Sequence, residues 1–315
     1  MIFASPKKLA SSGILGLNRR NADYILQYNQ RKFYPRVDDK MYTKLLALEA
    51  GIAVPELYGV VEIEHQVCEL PEFLEKYRDF VIKPCQGSGG DGVLVISDRV
   101  KDMYRKASGD FMNQYEFDHH ISNILSGTFS LGGHPDSAMI EYRVKFHEVF
   151  EQISYLGVPD IRVIVFLGVP VMAMVRLPTR LSGGKANLHQ GAIGAGIDMA
   201  TGITMTAVWR NEIIDEHPDT RSPVANIQIP EWNKLLHIAA KCYELTGMGY
   251  IGVDIVLDRD RGPLMLELNA RPGLNIQIAN HCGLEQRLNL IEKEVKNIPG
   301  HDEKIEFAIK QFGKK

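Results

Sequence analysis

The stretch IGVDIVLDRDRGPLMLELN, residues 251–269, sets two apolar runs on either side of a polar turn. Residues 251–257 and 264–269 read as strands joined by Asp258 to Pro263, so the stretch is an antiparallel hairpin. With the turn centred between Asp260 and Arg261, Asp254 faces Glu267, Val253 faces Leu268 and Ile255 faces Leu266. Side chains alternate along a strand, so Glu267 and Asn269 point to the same side as Asp254. Two carboxylates directly opposite each other destabilise a sheet unless something offsets them. The oxygen-only set Asp254, Glu267 and Asn269 suits a hard divalent cation. Mg²⁺ typically takes one or two carboxylates and completes its shell with phosphate and water. A solvated polar face with the carboxylates spread apart is the competing reading.

Arg271-Pro272-Gly273 follows directly and would present a guanidinium to an anion, or serve as a plain turn arginine. Upstream, Trp232, Leu235, Leu236, Ala239, Ala240 and Tyr243 repeat at helical spacing over 231–246, and Gly247 ends that helix. Residues 57–63, 80–84, 93–96, 138–144, 161–167, 170–177 and 203–209 read as strands, with Gly168-Val169-Pro170 turning one hairpin. Helices are predicted over 110–126 and 285–297, with 127–137 a loop. Another helix starts from an Asp38 N-cap, buries Met41, Leu45, Leu46 and Leu48, and stops at Gly51 before Pro55. Strands in hairpins with separate helices predict antiparallel α+β layers, not a βαβ series.

Residues 87–92, Gly-Ser-Gly-Gly-Asp-Gly, match G-x-G-x-x-G. A dinucleotide fingerprint requires a helix immediately afterwards, but Val93-Leu94-Val95-Ile96 reads as strand. A Walker A loop requires Lys-Ser/Thr at the same place, which is also missing. What remains is a hairpin loop whose backbone N–H groups can close over phosphates, with Lys83 at the end of the preceding strand. A plain surface turn needs fewer glycines than this.

Lys+Arg total 36 and Asp+Glu 39, and this near balance argues against a dedicated nucleic-acid binder or a polybasic membrane protein. The longest apolar run, Val163 to Val175, is interrupted and too short to span a bilayer. Cys68, Cys85, Cys242 and Cys282 have no zinc spacing and read as reduced thiols of a cytoplasmic protein. Asp118-His119-His120 falls in a predicted polar helix and reads as surface. His189 reads as a substrate contact or a structural hydrogen bond.

Taken in order, these segments resemble the ATP-grasp family of carboxylate–amine ligases, and within it RimK-type α-L-glutamate ligases and their relatives. Asp39-Lys40, Thr43-Lys44 and Gly51 to Pro55 resemble the entry helix, Lys83 with Gly87 to Gly92 the second lysine and lid, and Ile140 to Val144 the inter-lobe hinge. Asn187 to Gly191 resembles a segment near the acyl phosphate, and Asp254, Glu267 and Asn269 fall on the Mg²⁺ ligands. The resemblance covers about 38–290. It implies two α+β lobes with antiparallel sheets gripping ATP, a small lid lobe over about 57–137 and a large lobe over about 138–290. Residues 1–37 would be an arm or reduced substrate domain, and 291–315 a tail.

The implied roles follow. ATP would be bound by Lys40, Lys83, Gly87, Ser88, Gly89, Gly90, Asp91 and Gly92, and by the hinge residues Glu141, Tyr142, Arg143 and Val144, with Glu148 (or Glu151) on the ribose. Arg162, Arg176, Asn187 and Arg271 would act on the acyl phosphate or a substrate carboxylate, and Mg²⁺, replaceable by Mn²⁺, would sit on the acidic hairpin. The implied activity is ATP-dependent activation of an amino-acid or peptide carboxylate and its joining to an amine. A small-molecule kinase and a non-catalytic nucleotide-binding scaffold are the alternatives. Gln190 stands where RimK-type enzymes carry Arg, and fewer than 40 residues precede the entry helix. Either the core and the basic arm together build the pocket, or a second subunit or a partner completes it, and the basic arm would contact an anionic substrate or partner.

Overall fold

The computed structural model describes residues 5–87, 89–130 and 132–314. The chain divides into two compact units, one of residues 39–45 and 54–145, the other of the N-terminal residues through Asp38 with 46–53 and 146–315. Among the described residues, no helix is long and apolar enough to cross a membrane.

The smaller unit is built on β1 (Leu57–Val61), β2 (Phe80–Pro84), β3 (Leu94–Val100), β4 (Met103–Lys106), β5 (Phe111–Met112) and β6 (Ala138–Glu141). These make one antiparallel sheet in the order β1-β6-β2-β3-β4-β5. Strand β6, grouped with the large lobe in the sequence reading, thus lies between β1 and β2 and places Met139 opposite Lys83. Helix Gln114–Leu125 is started by a reciprocal Asn113–Glu116 capping box. It buries Phe117, Ile121 and Ile124 in the core that also holds Phe80, Ile82 and Tyr104. Each such side chain stabilises the unit by about 2 kcal/mol. The predicted helix over 110–126 was too long at its start, because Phe111 and Met112 pair with β4 instead.

The larger unit holds β7 (Asp160–Phe166), β8 (Val169–Leu177), β9 (Ile193–Ile197), β10 (Thr204–Trp209), β11 (Glu212–Ile214), β12 (Tyr250–Asp258) and β13 (Gly262–Asn269). All neighbours are antiparallel, in the order β11-β10-β9-β8-β7-β12-β13. Strands β7 and β12 are buried at every position, and helices Trp232–Thr246 and His301–Phe312 pack on the central strands. The last helix, read from sequence as tail, buries Ile305, Ala308 and Phe312. Strand β9 was not foreseen because IGAGI looks too glycine-rich for a strand. A Cβ on Gly196 would stand 2.6 Å from the Ala279 carbonyl, so glycine lets helix Ile276–Ala279 lie on the sheet.

Two local expectations need correcting. Helix Lys40–Glu49 is capped by Asp39, whose carboxylate accepts the Tyr42 N–H at 3.0 Å, and not by Asp38, which ends the preceding turn. Its buried face is Thr43, Lys44 and Ala47, while Leu45 and Leu48 are 45% and 54% exposed. In the hairpin, Asp254 opposes Glu267 and Val253 opposes Leu268, but Ile255 pairs with Met265 and not Leu266. The turn centres on Asp260, and an irregularity after Asp254 restores the expected register at the acidic end.

Candidate functional site

In the smaller unit, Glu141 lies at the end of β6 with its carboxylate 2% exposed, flanked by two lysines. Lys83 Nζ stands 2.5 Å from Oε1, and Lys44 Nζ stands 2.8 Å from Oε2 in a charge contact outside hydrogen-bond geometry. The Lys44 ammonium also donates to the Pro55 carbonyl. Burial alone would push the Glu141 carboxyl up, but the Lys83 and Lys44 charges outweigh it and hold it below the usual range. Burial lowers Lys44 against the pull of Glu141. The cluster of two ammonium groups and one carboxylate carries one unbalanced positive charge. Sequence reasoning quoted Lys44 but gave it no role, since leucines beside it suggested a different buried face.

Lys40 donates to the carbonyl of Gly87, at the mouth of the glycine loop. Gly89, Gly90 and Gly92 all have left-handed backbone, with φ of +66°, +78° and +74°. A Cβ on Gly92 would stand 2.6 Å from the Phe129 ring, so this glycine is required twice over. Ser88 lies outside the described residues. His120, expected at the surface beside His119, instead places Nε2 3.0 Å from the Gly92 carbonyl. Burial lowers its pKa, so it serves this bond as a neutral imidazole donating Nε2–H. The Asp136 carboxylate accepts the Gln86 and Ser137 N–H groups at 2.9 and 2.8 Å, fixing the loop's entry. Among the hinge residues, the Tyr142 N–H donates to the Glu56 carbonyl at 2.8 Å and Arg143 pairs with Asp79 at 3.1 Å. Tyr142 and Val144 are buried. Asp91 is exposed at the loop tip, and Glu148 is exposed in a turn of the other unit.

In the larger unit, Asp254 is 1% exposed at the centre of four adjacent strands. Arg162 on β7 donates to both its oxygens, Nε at 2.6 Å and Nη2 at 2.5 Å. Arg176 on β8 reaches the same carboxylate at 2.7 Å and binds Asp160 through two 2.5 Å contacts, one of them Nη2 to Oδ2. The offset that the facing carboxylates require is therefore supplied in part by these two arginines. Burial favours a raised Asp254 pKa, but Arg162 and Arg176 override it and hold the carboxyl low. Asp160 takes the opposite course: burial raises it to about 7, despite Arg176 beside it. Asn269 Nδ2 donates to Asp254 at 3.2 Å and Glu267 at 3.4 Å.

The cluster of Arg162, Arg176, Asp160, Asp254 and Glu267 sums to one unbalanced negative charge when all five are ionised. The donor set fits a hard cation best through Glu267 and Asn269. Both are half-buried, and among the described residues Glu267 accepts only the 3.4 Å bond from Asn269. Asp254 is already committed to two guanidinium groups. Arg271 is exposed, with its guanidinium 5.1 Å from the Tyr34 ring centre. Asn187 caps the turn Leu188–Gln190 by accepting the His189 N–H at 3.0 Å, and the His189 side chain is exposed. The Gly191 carbonyl is held by Trp209 Nε1 and Thr179 Oγ1, both at 2.8 Å. Asp160-Ile161-Arg162 resembles a substrate-side element in sequence, which leaves the Asp160 contact with Arg176 unstated, and Thr179 and Trp209 have no local mark, because each acts through another strand.

Residues 19–293 match the model of a family described as sugar-transfer associated ATP-grasp. No curated protein matches. Among solved structures, the chain is similar to an ATP-grasp ligase, PsnB, complexed with a minimal precursor (14% identity, TM-score 0.47), covering 85% of this chain and 62% of that one. It is similar to a D-alanine–D-alanine ligase from Bacillus anthracis (14% identity, TM-score 0.47, 93% and 79% covered). It is also similar to a RimK domain ATP-grasp protein from Sphaerobacter thermophilus (12% identity, TM-score 0.46, 83% and 69% covered). This chain thus spans about three fifths of the length of PsnB.

Proposed function

The chain belongs to the sugar-transfer associated ATP-grasp family, and from that premise we propose an ATP- and Mg²⁺-dependent ligase that joins a carboxylate to an amine. The observation that carries this reading is the alignment of Asp254 with Glu267 across β12 and β13, with Asn269 beyond them on β13. Bound Mg²⁺ neutralises charge on phosphate oxygens. Glu267 and Asn269 would hold it, with Asp254 kept ionised beside them by Arg162 and Arg176. Lys83 and Lys40 neutralise phosphate, and Lys44 shares the Glu141 charge so that Lys83 is not consumed by it. The glycine loop supplies backbone N–H groups and excludes water, which would hydrolyse an acyl phosphate.

In the first step a carboxylate oxygen of the substrate attacks the γ-phosphorus of ATP. The bond from that phosphorus to the bridging oxygen breaks, and ADP leaves. In the second step the amine nitrogen attacks the acyl carbon, inorganic phosphate departs with the C–O electron pair, and the amine gives up a proton. Arg271 is an exposed cation suited to the carboxylate and the acyl phosphate made from it. The acid is an amino acid or peptide, in glutamate-ligase-like bond formation. The family's description gives reason to test acids and amines carried on sugars as well.

The test is a screen of amino acids, dipeptides, uronic acids and amino sugars in pairs, read as ADP release with mass spectrometry of products. The expected result is ADP release that needs both partners and Mg²⁺, and is lost in Glu267→Ala. Turnover that survives Asp254→Ala and Glu267→Ala unchanged contradicts the reading.

A further inference from the structure

Three arginines of the N-terminal arm are turned onto the larger unit. Arg19 binds Glu285, Arg36 donates to the Leu245 and Thr246 carbonyls, and Arg20 is 7% exposed. Their targets lie within the larger unit, and three arm residues converge on one short segment. Asn29 Nδ2 donates to the Tyr250 carbonyl at 2.7 Å and the Ala270 carbonyl at 3.1 Å, while Asn29 Oδ1 accepts the Tyr250 N–H at 2.9 Å. The Tyr34 ring lies 5.1 Å from the Arg271 guanidinium. Arg20 Nη1 donates to the Pro272 carbonyl at 2.7 Å, while its Nε and Nη2 donate to Asn21 Oδ1 at 3.1 and 2.8 Å. Residues 270, 271 and 272 are thus held one by one from the arm, directly after Asn269.

The chemistry of these contacts is specific. Asn29 is 3% exposed, and its carboxamide stands in for a backbone peptide, tying the start of β12 to the end of β13. A buried amide that satisfies three backbone groups costs far more to lose than a surface bond, because each partner is left unpaired. Arg20 is a buried cation whose contacts are to neutral oxygens. Burying such a charge is costly, and hydrogen bonds to its donors offset part of that cost. Arg271, in contrast, is exposed and is held by a ring face, which restrains its stem and leaves its N–H fork open.

We infer that the arm is the positioning element of the segment Asn269 to Gly273, with Arg20, Asn29 and Tyr34 as positioning residues that aim Asn269 at a cation and Arg271 at a substrate carboxylate. The aim of these two residues rests on the proposed ligase function, whereas the bracing does not. The arm therefore does the work of a fixed shell around the segment.

Hydrogen exchange followed by mass spectrometry tests the bracing on the full chain, with no ligand. Asn29→Ala should speed exchange at Tyr250, Ala270, Arg271 and Gly273 about tenfold, leaving helix Trp232–Thr246 unchanged. Unchanged exchange at those four amides overturns the bracing, whatever the enzyme does. Kinetics then tests the aim. Tyr34→Leu should raise KM for the carboxylate about fivefold, with kcat and the KM for ATP within about twofold. Arg20→Met should do the same, and Arg20→Lys should restore most of it by reaching the Pro272 carbonyl. An unchanged carboxylate KM in Tyr34→Leu and Arg20→Met overturns the aim. Absence of any wild-type turnover counts against the ligase reading and leaves the exchange result to decide the bracing.

Discussion

The Glu141 cluster and the Asp254 cluster are both buried ion networks, yet they are balanced in opposite senses. Around Glu141 two ammonium groups share one carboxylate. Around Asp254 two guanidinium groups serve three carboxylates if Glu267 is counted with Asp160 and Asp254. The first is left with positive charge, which suits phosphate, and the second, once Asp160 with its pKa of about 7 gives up its proton, with negative charge, which suits a divalent cation. A buried cluster neutral in itself would be a structural device. One left unbalanced is a functional-site candidate.

The sharpest break in the comparison comes from removing the minority charge. Glu141→Gln leaves two buried lysines unpaired and should cost about 3 kcal/mol or more in urea unfolding. A loss under about 1 kcal/mol would mean the lysines are not held by Glu141. Lys83→Met removes a majority charge and leaves a neutral Lys44–Glu141 pair. It should lower ADP release about a hundredfold while costing clearly less stability than Glu141→Gln. Equal losses of stability in the two variants would erase the distinction between the clusters.

The same logic explains how far the sequence could be read. Side-chain alternation made Glu267 and Asn269 legible as one face of their strand, but their pairing with Asp254 holds because the irregularity after Asp254 offsets a turn centred on Asp260. The register at Leu266 was not, since an extra residue is visible only in the hydrogen bonding. Lys83 was legible from its place before the glycines. Lys44 was not, because periodicity counts apolar residues, and this helix buries a lysine and leaves Leu45 and Leu48 exposed. Arg162 and Arg176 were picked out as residues facing a substrate acyl phosphate. The structure turns them onto Asp254 and Asp160, contacts that arise from strand order, which no local pattern encodes.

A titration sharpens the Asp254 cluster. Asp160 has a folded pKa of about 7, above its value in the unfolded chain. The folded state therefore binds the extra proton, and this contribution to stability is lost as pH rises through 7. Asp254, held low, acts in the opposite sense and only in strong acid. The melting temperature of the wild type relative to Asp160→Asn should therefore fall between pH 5 and pH 8. A constant difference across that range contradicts the raised Asp160.

The smallest expected effect concerns the glycine loop. His120→Ala removes the bond to the Gly92 carbonyl, worth about 1 kcal/mol. It should raise KM for ATP about threefold and speed exchange at Gly92 and its neighbours. A KM for ATP unchanged from wild type would remove His120 from the loop's support.

The proposed function turns on one intermediate, an acyl phosphate formed from a carboxylate and ATP. Hydroxylamine trapping tests it most directly, with the acid identified by the pair screen and the products read by mass spectrometry. One hydroxamate per ADP released is expected, only with Mg²⁺ or Mn²⁺ present, and none from Glu267→Gln or Lys83→Met. ADP release with a stable phosphorylated product and no hydroxamate would contradict it.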